Sequence, residues 1–198
     1  GREARNHTDE LMLRWFDHWM RGVDNGIMAE PRVSVFVMGA NKWRQADEWP
    51  FPNTKFTKFY MHSGGRANSL NGDGTLGRQE PGDEPHDIYV SDPGYPVQSL
   101  GGRSCCLAAL APMGPMDQRP VETRNDVLVF TSARLAQDVA VIGPVDATLY
   151  ASSSADDTDF TVKLVDVYPD GRAFNVVDAI QRASHREGSA KPSAIKPG

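Results

Sequence analysis

The spacing of apolar residues changes period once along this chain. Between Thr8 and Val23, apolar side chains fall at Leu11, Met12, Trp15, Phe16, Trp19, Met20 and Val23, the 3.6-residue repeat of a helix with one broad apolar face. Thr8 is placed to cap that helix, Asp9 and Glu10 suit its positive end, and Gly22 is placed to stop it. From residue 33 onward the repeat shortens to two. Val33–Met38 predicts a first strand ending in Gly39-Ala40-Asn41-Lys42, and Phe56–Met61 predicts a second, beyond an ordered Trp-rich connection at Trp43–Pro52. Residues 62–86 are rich in Gly, Asn, Ser and Asp and predict a long surface loop with at most a short strand near Leu76. Ile88–Val90 predicts a brief edge strand, residues 92–120 an irregular stretch, and Val127–Thr131 and Val139–Ile142 further strands.

The densest signal lies between Val145 and Ala179, which predicts three consecutive strands. Val145, Ala147, Leu149 and Ala151 alternate with polar or aromatic neighbours, and Phe160, Val162 and Leu164 alternate with Thr161 and Lys163. Pro169-Asp170-Gly171 then turns the chain, since proline presets its own φ and Asp-Gly tolerates positive φ, so that Phe174, Val176 and Ile180 return as the next strand. About eight short strands with long connections and no internal repeat favour a sandwich or jelly roll over a parallel α/β sheet.

Composition fits this picture. The length of 198 residues suits one domain, while 39% hydrophobic residues, 18 Gly and 14 Pro suit short strands joined by irregular turns. The formal net charge of −5 comes from 26 acidic and 21 basic residues that are interspersed. With no basic stripe to neutralise a phosphate backbone, nucleic acid is excluded as a partner. No run approaches the roughly 20 apolar residues of a membrane span. The two cysteines, Cys105 and Cys106, are adjacent and poorly placed to bridge each other, so the expected compartment is the cytoplasm.

Candidate chemistry is sparse. A nucleophile elbow needs Gly-x-Ser-x-Gly, and the nearest approach, Gly102-Arg103-Ser104-Cys105-Cys106, lacks the second glycine. The five histidines, His7, His18, His62, His86 and His185, have no helical i, i+4 pair. Asp156, Asp157 and Asp159 read as turn-fixing carboxylates in preference to a calcium site, and Asn71-Gly72-Asp73-Gly74 lacks the later acidic ligands of a calcium loop. The vicinal thiols read as small apolar filler, Arg103 being the sole neighbour that could lower their pKa. No catalytic residue, metal or cofactor is assigned. Trp43 and Trp49 with Tyr89 and Tyr95 would suit an aromatic platform for a sugar, although core or interface is the commoner fate of such residues.

Several stretches, taken in order, resemble the C-terminal domain of the X-Pro dipeptidyl-peptidase-like serine hydrolases, the family that includes cocaine esterase, glutaryl-cephalosporanic acid acylases and α-amino acid ester hydrolases. They are Leu13-Arg14-Trp15-Phe16-Asp17-His18-Trp19 with Arg21-Gly22; Val35-Phe36-Val37-Met38-Gly39 with Trp43-Arg44 and Glu48-Trp49-Pro50; and Asp92-Pro93, Pro96-Val97 and Ser99-Leu100-Gly101-Gly102. Gly114-Pro115 and Asp117-Gln118-Arg119-Pro120 follow, then Ser152-Ser153-Ser154-Ala155, Asp157-Thr158-Asp159-Phe160, Lys163-Leu164-Val165-Asp166-Val167 and Pro169-Asp170-Gly171-Arg172-Ala173.

The resemblance implies a mainly β chain: a galactose-binding-like jelly-roll sandwich at 31–198, cut short at its C-terminal end, entered by a helical segment at 1–30 from an absent hydrolase domain. It implies that the α/β-hydrolase and cap domains carrying the Ser-Asp-His triad are absent partners, and His7 does not inherit the triad role. The substrate implied for the parent enzyme is a small acyl ester or amide. Cys105, Cys106 and Leu107 are implied to line its acyl pocket, supplying apolar contact and no chemistry. An incomplete sandwich also invites homo-oligomer formation through exposed strand edges. Two rival expectations stand beside this one. The first is a free-standing jelly-roll module binding a carbohydrate or similar ligand, and the second an oligomerising piece that buries Trp15 and Trp19 against another chain.

Overall fold

The computed structural model describes residues 4–5, 7–103, 109–188 and 192–195. The chain divides into two compact units, Gly1–Thr57 with Gln137–Asp146, and Lys58–Ala136 with Ala147–Gly198. The regular structure among the described residues is mainly strand, in sandwich-like sheets, with one substantial helix at the N-terminus, as the sequence predicts.

The first unit opens with helix α1, Thr8–Arg21. Gly22 takes the left-handed conformation at its end (φ 69°), and its N–H bonds the carbonyl of His18 at 3.2 Å, so the predicted stop operates as expected. The start differs by one residue: the N-cap is His7, whose side chain makes no capping bond, and Thr8 lies inside the helix. Strand β1, Val33–Val37, pairs antiparallel with β2, Lys42–Ala46. The Gly39-Ala40-Asn41-Lys42 segment therefore closes a hairpin, with Gly39 and Asn41 at positive φ (79° and 52°), the conformations a tight β-turn demands. The connection expected at Trp43–Pro52 supplies most of that second strand, which is exposed at all positions but Ala46. Phe36 meets Trp43 edge-on across the pair, ring centroids 5.5 Å apart.

The second unit contains two sheets. Strand β3, Tyr60–His62, pairs antiparallel with β4, Thr75–Gly77, which pairs in parallel with β5, Thr131–Ser132. The short strand anticipated near Leu76 is β4. Beyond β5, the pairing continues irregularly through Val129 N–H to Ala67 O (2.9 Å) and Ser69 N–H to Val127 O (2.7 Å). Ala67 is fully buried there, and Gly74 packs so closely that a Cβ would stand 2.1 Å from Val129 O. A single turn of helix, α2, spans Arg119–Glu122.

The longest ladder joins β6, Asp159–Val167, to β7, Ala173–Arg182. Their connection is the predicted Pro169-Asp170-Gly171 turn: Gly171 sits at φ 83°, its N–H bonds Tyr168 O at 2.8 Å, and Asp170 Oδ1 accepts from Arg172 N–H at 3.1 Å. A register shift at Leu164/Val165 leaves Val176 as an extra residue on β7, a bulge. Three predicted strands do not form. Val145–Ala151, Val139–Ile142 and Ile88–Val90 run without strand pairing, their alternate apolar side chains turned to solvent: Val90 is 82% exposed, and Val139, Val145 and Leu149 are exposed as well. Their pattern is that of strands, and within the described residues no ladder receives them.

Candidate functional site

The most ordered polar arrangement in the second unit surrounds Gln118, the largest fully buried side chain, at 1% exposure. It lies just before α2, where the chain crosses the start of β7, and Gln118 N–H bonds Ala173 O at 2.7 Å. Its amide nitrogen faces three acceptors: Met116 O at 2.9 Å, Leu100 O at 3.0 Å and Asn175 Oδ1 at 3.1 Å. Two hydrogens serve three oxygens, so one bond is shared. The amide oxygen accepts from Lys163 Nζ at 2.8 Å, which fixes the side chain's orientation unambiguously. Asn175 Oδ1 also accepts from Met116 N–H at 2.7 Å, and the β7 bulge begins beside this contact.

Asp117 and Arg119 flank the glutamine. Asp117 accepts from Ala173 N–H at 3.2 Å and takes a two-pronged contact from the Arg119 guanidinium, with distances of 2.5–3.0 Å. That guanidinium, with backbone donors from Ala173 and Arg119, overcomes desolvation and holds the Asp117 carboxyl at a pKa of about 2. Burial pushes the neighbouring Glu122 carboxyl up, with the Asp117 charge adding to it and Lys163 opposing.

This knot holds the stem of one loop. Leu100 O is tied to Gln118, and just beyond it Gly102 and Gly114 exchange two backbone bonds of 2.8 and 3.0 Å. Gly101 and Gly102 are both at positive φ, and a Cβ on Gly102 would stand 2.6 Å from Asp178 Oδ2 on β7. Glycine is required at position 101, where a Cβ would also stand 2.3 Å from the backbone oxygen of Gly114. The residues expected to line an acyl pocket, Cys105, Cys106 and Leu107, follow this stem in sequence and lie outside the described residues, as does Ser104. Sequence reading quoted Asp117-Gln118-Arg119 only as a family motif; that it is the anchor needed the long-range contact with Lys163 and Asn175.

The remaining candidates are occupied structurally. Asp157 accepts from Ser184 N–H and Oγ (2.8 Å each) and from Thr158 N–H, which lowers its pKa and fixes the chain's return after β7. His185 Nδ1 lies 2.9 Å from the same Ser184 Oγ. The three residues do not form a nucleophilic relay: the one hydroxyl proton goes to the carboxylate, and the carboxylate does not touch the imidazole. Arg182 forks onto Asp159 at 2.9 Å. Asp73 accepts from Arg66 N–H, and His62 lies between Glu84 and Gln79 O. Among the described residues no group of three or more His, Cys, Asp or Glu side chains could hold a metal ion, and no helix is long and apolar enough to cross a membrane. The residues expected to form an aromatic platform are divided between the two units. Trp43 and Trp49 belong to the first unit, each edge-on to a phenylalanine, while Tyr89 and Tyr95 belong to the second, where the Arg124 guanidinium sits 4.4 Å over the Tyr95 ring.

Fold and site together define a β domain whose ordered polar groups hold loops in place and whose described residues assemble no bond-breaking set. Comparison with known proteins gives the family. The family model described as the X-Pro dipeptidyl-peptidase C-terminal non-catalytic domain matches residues 25–198, and the chain belongs to that family. It is 45% identical over 184 residues to a cocaine esterase of Rhodococcus sp. (strain MB1 Bresler), covering 93% of this chain and 32% of that protein. A putative serine esterase of Mycobacterium bovis is 35% identical over 191 residues, covering 94% and 28%. An α-amino acid ester hydrolase structure superposes with a TM-score of 0.73 at 28% identity, covering 94% of this chain and 32% of that one. The chain thus spans about a third of the length of the relatives it matches.

Proposed function

We propose that this chain is the supporting β domain of a serine hydrolase that cleaves a small acyl ester or amide through an acyl-enzyme. Nucleophile, base and oxyanion hole would then lie on α/β-hydrolase and cap domains of the same polypeptide, outside these residues. The reading is carried by one observation, the pinning of the 101–114 stem to the buried Gln118 knot. On this reading Cys105, Cys106 and Leu107, which lie in sequence between the pinned Gly102 and Gly114, would supply an apolar wall against an acyl group. Such a wall discriminates by about 1–3 kcal/mol per methylene, so it tunes preference without creating activity. The cysteine usage suits a reducing compartment, the cytoplasm.

The test is kinetic, on the full-length polypeptide. Leu107→Ala is expected to change the ratio of kcat/KM for long-acyl over short-acyl nitrophenyl esters by about tenfold, with the shorter ester little affected. An unchanged ratio removes the acyl-wall role. The 198-residue chain alone is expected to be inert, and ester turnover by it that Ser104→Ala abolishes would place the nucleophile here and overturn the reading.

A further inference from the structure

Glu122 is a buried carboxyl that the Gln118 knot leaves without a hydrogen bond. It closes α2, one helical turn after Gln118, and is 8% exposed. Its backbone is engaged on both sides: Glu122 N–H donates to Gln118 O at 3.0 Å, and Glu122 O accepts from Leu70 N–H at 2.6 Å. Its side chain accepts from no described residue. A carboxylate so placed has given up water without gaining a donor, which favours the neutral acid. The charged groups facing it come from two places. Asp117 and Arg119, at the entry to α2, are locked in their own fork, and the Asp117 charge pushes against a second carboxylate beside it. From β6 comes the Lys163 ammonium, which attracts an ionised Glu122. The adjoining segments add no further charge: Ser69, Leu70, Asn71 and Gly72 are uncharged, as are Ala173, Phe174 and Asn175, and Arg124 and Asp126 beyond α2 pair with each other.

Lys163 thus stands between two acceptors, one neutral and one ionisable. While Glu122 is protonated, the ammonium bonds Gln118 Oε1 at 2.8 Å, and that bond aims the amide nitrogen at Leu100 O, the base of the stem, at 3.0 Å. Ionisation of Glu122 supplies a charged competitor, and a charged acceptor bonds an ammonium roughly twice as strongly as a neutral one. We propose that Glu122 is a positioning residue for the stem at Gly102 and Gly114: protonated, it leaves Lys163 to fix Gln118 and hold the stem; ionised, it draws Lys163 away and loosens it. The consequence for acyl preference rests on the reading that this stem leads to an acyl wall. The direction follows from the surroundings. Burial, then the Asp117 charge, push the Glu122 carboxyl up from 4.5, so the stability of the protonated form is present below 4.5 and lost as pH rises through the folded value. Asp117, at about 2, stays ionised across that range.

Amide exchange of the 100–116 peptide in the full-length protein, corrected for the intrinsic pH dependence of exchange, tests this at about pH 5 and about pH 8. In the parent, protection of that peptide should fall severalfold at the higher pH. In Glu122→Gln, which keeps the shape and stays neutral, it should hold at the low-pH level. His62 titrates in the same window, and comparison with Glu122→Gln removes its contribution, since both proteins carry it. A Glu122 that only fills space would shift protection equally at both pH values. Equal loss in the two proteins, or none in the parent, overturns the proposal. Where Glu122→Gln does not fold, Lys163→Met decides: with the contested ammonium gone the pH response should vanish, and a response that persists overturns the proposal. Failure of the functional reading looks different. A pH response in exchange with the same acyl preference at both pH values leaves the positioning role standing and removes the acyl wall; an acyl preference sensitive to Leu107→Ala with no pH response in exchange does the opposite.

Discussion

His62 bonds an acceptor at each ring nitrogen, Glu84 Oε1 at 2.8 Å from Nδ1 and Gln79 O at 2.9 Å from Nε2. Only the imidazolium donates at both, so the clasp that ties the 79–84 loop to β3 is complete only with His62 charged and Glu84 ionised. The hydrogen bond with Glu84 raises the His62 pKa above 6.5 against some desolvation, and the same bond lowers the Glu84 pKa below 4.5. A raised histidine contributes stability that is fully present below 6.5 and lost as pH rises through its folded pKa; a lowered carboxylate contributes stability present above 4.5 and lost as pH falls. The clasp is therefore at full strength between those values. Thermal melts of His62→Gln should show a flatter decline above pH 6.5 than the parent chain, and parallel declines would refute the clasp. Gln118 makes a sharper case. Gln118→Ala strands two carbonyls, the Asn175 amide oxygen and the Lys163 ammonium, and should cost about 3 kcal/mol in urea unfolding. Gln118→Glu should cost as much, because a carboxylate cannot donate to those three oxygens; a loss under about 1 kcal/mol for either variant would mean that water replaces the amide.

Two glycines separate turn chemistry from close packing among the elements. Gly171 has positive φ and nothing within 4 Å of a Cβ, so Gly171→Ala should cost about 1 kcal/mol and Gly171→Asn less. Gly74→Ala drives a methyl into Val129 O and should cost more, about 1–3 kcal/mol, with loss of the β4–β5 pairing. Urea midpoints in the opposite order would contradict both assignments. The same contrast explains what the sequence made legible. The α1 helix, the β6–β7 hairpin and its Pro169-Asp170-Gly171 turn rest on local signals, so periodicity and turn residues were enough to read them. The Gln118 knot includes hydrogen bonds between residues up to 59 positions apart, and its buried amide looks no different in sequence from an exposed one. Strand β2 was hidden because Lys42–Ala46 is largely exposed and polar, leaving only Trp43 to pattern it. Residues 88–90, 139–142 and 145–151 carry the pattern of strands and fail to pair because pairing also needs a neighbour with a free edge.

At the scale of the whole molecule, those unpaired segments and α1 have a common property: apolar side chains arranged for burial and left in solvent. Ile88, Val90, Val139 and Val141 are all at least 59% exposed, and they sit on backbone that forms no ladder. Exposed apolar surface beside unpaired N–H and C=O groups is the combination that recruits another strand. If, as proposed, the chain is one domain of a longer hydrolase and another domain supplies that neighbour, the cost disappears in the full-length polypeptide and persists in the 198-residue chain. Hydrogen exchange should then show residues 88–90 and 139–150 exchanging within seconds in the chain alone and protected by at least about 100-fold in the full-length protein. The chain alone should also bind a hydrophobic dye and gain mass with concentration in light scattering, which the full-length protein should not. Equal exchange in both proteins would mean that these segments are coil in the enzyme as well, and that their alternation serves another purpose than pairing.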